Sequence, residues 1–262
     1  MIDLYFSYRS PYSYLILPRM LKLKNEYNVE INFKIVYPLA IRMPEWFKNK
    51  NIFFFIPFIR DFSKKAKKLN IPLKMPIKPD PIKQNTLTGK VSSHQPYIFD
   101  ICHMGQFMCN KGKGIEFAYE LSTLIWSVKN WNKDELLGPL FARFDENLSE
   151  VREYIKLNEK QLISEIEMNQ ASQKEAGHHG VPLNVYKGKY YFGQDDPFDQ
   201  LIAELIKDDN GYLKINEDWG KTWQPTDKKP EPVDDSIKTG PSESDLAAMG
   251  STSVDDDDDA PF

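Results

Sequence analysis

Apolar and polar residues alternate along Ile2-Asp3-Leu4-Tyr5-Phe6-Ser7-Tyr8, the period-two pattern of a half-buried strand. Ser10-Pro11 follows, placing a hydroxyl at a helix N-cap and proline at the first helical position. Leu15, Leu17, Met20 and Leu21 continue this helix, in which Pro18 is expected to introduce a kink. Alternation returns over Val29 to Tyr37, with Val29, Ile31, Phe33 and Ile35 on one face. The chain opens β-α-β.

From about Pro38 to Gly177 the strand signal disappears. Helical spacing predicts helices over 58–69, 95–109, 114–129, 134–144 and 149–176, with the proline-rich stretch 71–82 as a loop between them. Strands return at 182–186 and 190–192, separated by the turn Lys187-Gly188-Lys189, and a last helix is expected from about Pro197 to Lys207. The predicted fold class is α/β, a thioredoxin-like sheet of order β-α-β … β-β-α with a large all-helical insertion. Residues 1–37 and 178–215 would form the core, 38–177 a helical lid, and 216–262 a linker and tail.

Composition supports a folded body. Hydrophobic residues make up 41% and aromatic residues 13% of the 262, which excludes a wholly disordered or collagen-like chain. The two cysteines, Cys102 and Cys109, exclude a disulfide scaffold and a four-cysteine zinc site. Seven apart on a predicted helix, they lie about 10 Å apart along its axis, beyond disulfide reach, and read as core thiols. The most apolar run, Ile52 to Phe58, is far shorter than the roughly 20 residues of a membrane span and holds Pro57. With no signal-peptide pattern at the start, the expectation is a soluble, cytoplasmic protein without membrane contact.

The net charge of −4 conceals a division. Residues 224–262 carry eleven acids and three lysines, for −8, while the rest of the chain carries +4. That segment has no Trp or Tyr and holds five of the 18 prolines, so it is expected to be a disordered acidic tail. Two roles are open for it: a solvated appendage, or an arm that binds a partner or screens a basic face.

The chemistry centres on Phe6-Ser7-Tyr8-Arg9-Ser10-Pro11-Tyr12-Ser13-Tyr14-Leu15, at the first strand–helix junction. Thioredoxin-type oxidoreductases place C-x-x-C there, and in this chain Ser10 and Ser13 occupy the two cysteine positions. This segment, together with Gly177-His178-His179-Gly180-Val181-Pro182 and Phe192-Gly193-Gln194-Asp195, resembles the 2-hydroxychromene-2-carboxylate isomerases and kappa-class glutathione transferases of the DsbA-like fold. The resemblance spans about residues 1–207. It implies glutathione as cofactor, Ser10 as the catalytic residue stabilising its thiolate, and a cis Val181-Pro182 bond facing Ser10. The contact set it implies is Ser10, Pro11, Tyr12, Val181, Pro182, Gln194 and Asp195. In it Asp195 would pair with the cofactor's α-ammonium, and Gln194 with helix-terminal N–H groups would receive its carboxylate.

Elementary chemistry runs parallel to the resemblance. Helix N-termini favour thiolates, and a serine there can donate a hydrogen bond to one. Ser10 itself has no His or Asp partner nearby in sequence and is a poor covalent nucleophile. Plainer roles stay open: Ser10 as a helix cap alone, Val181-Pro182 as a trans strand-opening bond, and Asp195 or Asp196 as a cap of the last helix.

The chain also departs from the family pattern. Asp195-Asp196 stands where relatives often carry Asp-Arg, so a basic contact is missing. Relatives carry G-N-x-P-P in the insertion where this chain reads Pro44 to Asn51, leaving Asn49 or Asn51 as substitutes. His178-His179 beside the Val-Pro pair offers either a proton shuttle or a packed ring. His94 and His103 lack metal-ligand spacing, so no metal is expected. Lys64, Lys65, Lys67, Lys68, Lys74 and Lys78 form a solvated lid face or an attractor of carboxylate substrates.

The function so expected is a glutathione-dependent isomerase acting on aromatic-derived, electrophilic small molecules of the 2-hydroxychromene-2-carboxylate type. Alternatives are a kappa-type glutathione transferase or peroxidase, and a non-catalytic thioredoxin-fold binding module. A thiol–disulfide oxidoreductase is disfavoured, because Ser10 and Ser13 cannot form a disulfide. No nucleic acid partner is expected. Relatives are often dimers, which leaves a homodimer open.

Overall fold

The computed structural model of the protein describes residues 1–208, Pro76 excepted. The acidic tail and residues 209–215 of the expected core lie outside the described residues.

The first strand, β1 (Ile2–Phe6), runs into helix α1 (Pro11–Tyr27), and strand β2 (Ile31–Ile35) returns parallel to β1, pairing Ile2 with Ile31 and Phe6 with Ile35. After the insertion, β3 (Leu183–Tyr186) pairs antiparallel on the other side of β1, and β4 (Lys189–Phe192) pairs antiparallel with β3. The sheet order is β2-β1-β3-β4, and helix α9 (Asp196–Asp208) closes the described chain. The expected β-α-β … β-β-α frame is thus present. The β3–β4 hairpin turns on Lys187 and Gly188, both at positive φ (49° and 76°), the combination of a two-residue turn that matches strand twist.

Between β2 and β3 the chain forms α2 (Leu39–Arg42), α3 (Pro44–Phe47), α4 (Ile52–Lys68), α5 (Ile98–Asn110), α6 (Gly114–Ser127), α7 (Asp134–Ala142) and α8 (Leu148–Glu175). The short α2 and α3 carry too few turns for a periodic signal. Helix α4 begins six residues before the predicted start: Asn51 caps it, its side chain accepting from Phe54 N–H at 3.4 Å, and Pro57 lies inside. The carbonyl of Phe53 that Pro57 leaves without a helical donor belongs to an exposed residue, where water can reach it. Helix α8 bends at Asn158, whose φ of −114° and ψ of 17° are non-helical. One isolated bridge, Gln84 with Val91, interrupts the otherwise helical insertion.

Insertion and sheet share one apolar core. Ile2, Leu4 and Phe6 of β1, Leu15 and Ile16 of α1, and Ile98, Leu121 and Trp126 of the insertion are buried in a single cluster. Tyr14 stacks parallel to Trp126 (centroids 6.4 Å apart), and Phe62 of α4 meets the same indole at 6.2 Å. Gly105 lets α5 approach the sheet: a Cβ there would lie 2.3 Å from Tyr8 Oη and 2.4 Å from Ile35 Cδ1. A smaller cluster of Tyr5, Val36 and Leu183 forms separately.

Candidate functional site

Ser10 has extended backbone angles (φ −98°, ψ 114°) and caps α1, its Oγ accepting from Ser13 N–H at 3.2 Å. Pro11 at N1 has no N–H, and Tyr12 N–H finds no partner among the described residues. The first turn of α1 therefore presents a free donor beside the Ser10 hydroxyl. Across from it, the Val181-Pro182 bond is cis, and Ser10 Oγ donates to Val181 C=O at 3.3 Å. The structure thus brings Ser10, Pro11, Tyr12, Val181 and Pro182 to one place. The capping role and the opposing-loop role of Ser10 coexist.

The segment before Pro182 is held from behind. Arg42 Nη2 donates to His179 C=O at 2.9 Å and Arg42 Nη1 to Gln173 Oε1 at 3.0 Å, while Gln173 Nε2 donates to Gly180 C=O at 2.8 Å. Gln173 is fully buried, and burial lowers the Arg42 pKa to about 10. His178, half-buried, packs as a ring. It lies 4.1 Å from Phe192, and its Nδ1 accepts from Gly180 N–H at 2.9 Å. Burial, joined by the neighbouring His179, lowers the His178 pKa.

At the start of α9 the two implied contacts separate. Gln194 is buried, and both its backbone carbonyl and its Oε1 accept from Arg19, which itself stacks on Phe198 at 4.5 Å. Burial lowers the Arg19 pKa to about 10, against the pull of Asp199 and Asp195. Gln194 thus serves the core in this state. Asp195 is half-exposed, and its backbone carbonyl accepts from Phe198 and Asp199 N–H at 2.8 and 3.2 Å, so it does begin the helix. Its side chain meets Lys65 Nζ at 3.0 Å. Of the two substitute asparagines, Asn51 is engaged as the α4 cap, and Asn49 sits at positive φ (64°) with its N–H bonded to Thr88 C=O.

Two further participants, Asp61 and Arg9, carry no motif in the sequence. Asp61 of α4 accepts from Tyr12 Oη at 2.6 Å and from Lys65 Nζ at 2.6 Å. Lys65, expected on a solvated lid face or as an attractor of carboxylate substrates, points back to Asp61 and Asp195. Arg9, next to Ser10, forms a two-pronged pair with Asp80 (2.6 and 2.7 Å), tying the strand–helix junction to the insertion. An i,i+4 Asp–Lys spacing on α4 was the visible signal for the first pair. The long-range members had none.

Neither cysteine belongs to the site. Cys102 is fully buried with its thiol pushed far up by burial, and Cys109 is pushed up to about 12 by burial and by Glu165 and Glu116. His103 is buried in the insertion and shares a 3.0 Å hydrogen bond with Tyr37 Oη. Among the described residues no three metal-ligating side chains gather, and no helix is long and apolar enough to cross a membrane.

No family model and no curated protein matches the sequence. Solved structures do match. A 2-hydroxychromene-2-carboxylate isomerase aligns at 16% identity and TM-score 0.60, covering 80% of this chain and 97% of its own. A probable DsbA oxidoreductase from Streptomyces coelicolor aligns at 12% identity and TM-score 0.52, covering 92% and 96%. The cytosolic disulfide reductase DsbM from Pseudomonas aeruginosa, solved with GSH, aligns at 10% identity and TM-score 0.50, covering 79% and 98%. At these identities the likeness defines the fold. The protein has the DsbA-like thioredoxin fold with its helical insertion.

Proposed function

We propose that the protein binds glutathione between the α1 N-terminus and the Val181-Pro182 loop, and that it is a glutathione-dependent isomerase acting on an aromatic-derived electrophile. The observation that carries this reading is the opposition of Ser10 Oγ and Val181 at the helix N-terminus, with Cys102 buried and Cys109 half-buried elsewhere. A site of this shape has the donors for a thiolate and lacks a thiol. The residues suit an extended γ-glutamyl tripeptide: the Ser10 hydroxyl and Tyr12 N–H for sulfur, Val181 for backbone pairing as in strand addition, and Asp195 for an ammonium.

Bound glutathione would supply a thiolate that adds to a conjugated carbon and departs after bond rotation. The chain's own part is to hold and acidify that sulfur. The partial positive charge at the start of α1 favours the anion, and Ser10 turns its proton from Val181 C=O to the sulfur. That exchange is inexpensive, because 3.3 Å is long for an O–H···O bond. The fold likeness to an isomerase over 97% of that protein's length supports the isomerase reading, and the likeness to DsbM solved with GSH supports the ligand. Transfer of glutathione to an electrophile would use the same groups and is the second reading.

Calorimetry with reduced glutathione tests the proposal, together with ultraviolet titration of the bound thiol. Binding with a thiol pKa below its free value of about 8.5 is expected. No binding at millimolar glutathione would leave a non-catalytic module.

A further inference from the structure

Among the described residues, Lys65 is the cation that joins the insertion to the start of α9. Its Nζ lies 2.6 Å from Asp61 Oδ2 and 3.0 Å from Asp195 Oδ2, and 5.3 Å from the Tyr12 ring centre. Tyr12 donates to the same Asp61 oxygen. Burial works against the ammonium, but the two carboxylates outweigh it and raise its pKa. Two carboxylates thus share one ammonium, and the cluster is one positive charge short of neutrality. Asp195 is its more open member, with a side chain 55% exposed against 44% for Asp61. Asp196 and Asp199 deepen the negative excess at this helix start: burial raises the Asp199 pKa, and Asp196 and Asp195 add to the rise against the pull of Arg19.

A ligand carrying only an ammonium would have to evict Lys65 from Asp195 without offering it a new partner. A ligand carrying only a carboxylate would draw Lys65 away and strip Asp195. A zwitterionic α-amino-acid head meets both needs at once, its ammonium on Asp195 and its carboxylate on Lys65, while Asp61 keeps its hold on the lysine. We propose that Lys65 is the carboxylate-recognising residue of the site, and that its resting bond to Asp195 makes the site select ligands with a free α-amino-acid end, as in γ-glutamyl peptides. Lys65 thereby supplies the basic contact that Asp196 does not. The inference rests on the glutathione reading above and adds to it a selectivity built into this chain's own residues.

The test is calorimetry on the full-length protein with three probes. These are glutathione, glutaryl-Cys-Gly (which lacks the α-ammonium) and 4-aminobutyryl-Cys-Gly (which lacks the α-carboxylate). The unaltered protein should prefer glutathione by about tenfold or more over either analogue, the scale of one charge-assisted hydrogen bond. Lys65→Met should bind glutathione about tenfold more weakly and no longer distinguish it from the 4-aminobutyryl probe. Lys65→Arg, which keeps the charge, should retain the discrimination. Lys65→Met protein with an unchanged melting temperature and the original ranking of probes would overturn the role of Lys65 and leave glutathione binding standing. An unaltered protein that binds none of the three would overturn the glutathione reading itself.

Discussion

The hydroxyl of Ser10 donates to the carbonyl of Val181 across 3.3 Å, joining positions 171 residues apart in the chain. The same oxygen accepts from Ser13 N–H at 3.2 Å. One face of the hydroxyl is committed to the helix. The other turns its proton to Val181 over a long bond.

These two duties separate by substitution. Ser10→Ala removes both and should cost about 1 kcal/mol of stability through the lost cap. Ser10→Asp restores a capping oxygen but carries no proton and adds negative charge beside the sulfur. It should fold as stably as the unaltered protein in urea denaturation, yet fail to lower the pKa of bound glutathione in ultraviolet titration. Retained acidification in Ser10→Asp would remove Ser10 from its assigned role.

The loop ahead of Pro182 depends on Gln173. Gln173→Leu leaves Gly180 C=O and one Arg42 nitrogen without partners in a part-buried setting, at a cost of about 1 kcal/mol. Amide hydrogen exchange at His179 to Val181 should quicken, while that of β1 keeps its order in the protection scale. Unchanged exchange in the loop would show that its position is set elsewhere.

Stability should fall with mild acid. Burial depresses the pKa values of His178 and His103 below the free value of about 6.5, so the unfolded chain takes up protons before the folded one. Their contribution is complete above about 6.5 and is lost as the pH drops through that value toward the depressed ones. The urea midpoint should be lower at about pH 5.5 than at about pH 7.5, and His178→Phe should narrow the difference. Equal midpoints at the two pH values would contradict the prediction.

Gly105→Ala forces a methyl into Tyr8 Oη and Ile35 Cδ1, both in the packed interior. The expected loss is about 1–3 kcal/mol by thermal or urea unfolding, the usual penalty of overpacking. A neutral result would mean that α5 can retreat from the sheet at little expense.

Local rules made much of this legible. Ser10-Pro11 announced its helix because cap and first-turn chemistry act within four residues, and Lys187-Gly188 announced its hairpin because only certain residues take positive φ readily. Helix α4 reaches six residues upstream of the start that spacing predicts, because Asn51 caps it and the apolar run continues the helix through Pro57. At the site, Ser10 and Val181-Pro182 were readable as motifs. The inward turn of Gln194 toward Arg19 was not, because Arg19 lies 175 residues away and a buried guanidinium leaves no periodic trace. Lys65 looked like its neighbours Lys64 and Lys67, and only the folded chain distinguishes the one that faces two carboxylates.

The placement of the helical insertion between β2 and β3 also fixes when the site comes into being. Strand β1 meets β2 after some thirty residues of synthesis, but it meets β3 only after the whole insertion has been made. A nascent chain carries Ser10 from the outset and acquires Val181 only after the insertion, so a product of translation that stops within the insertion lacks the opposing half. Pairing of Ser10 with Val181 is then a long-range event that local sequence cannot complete.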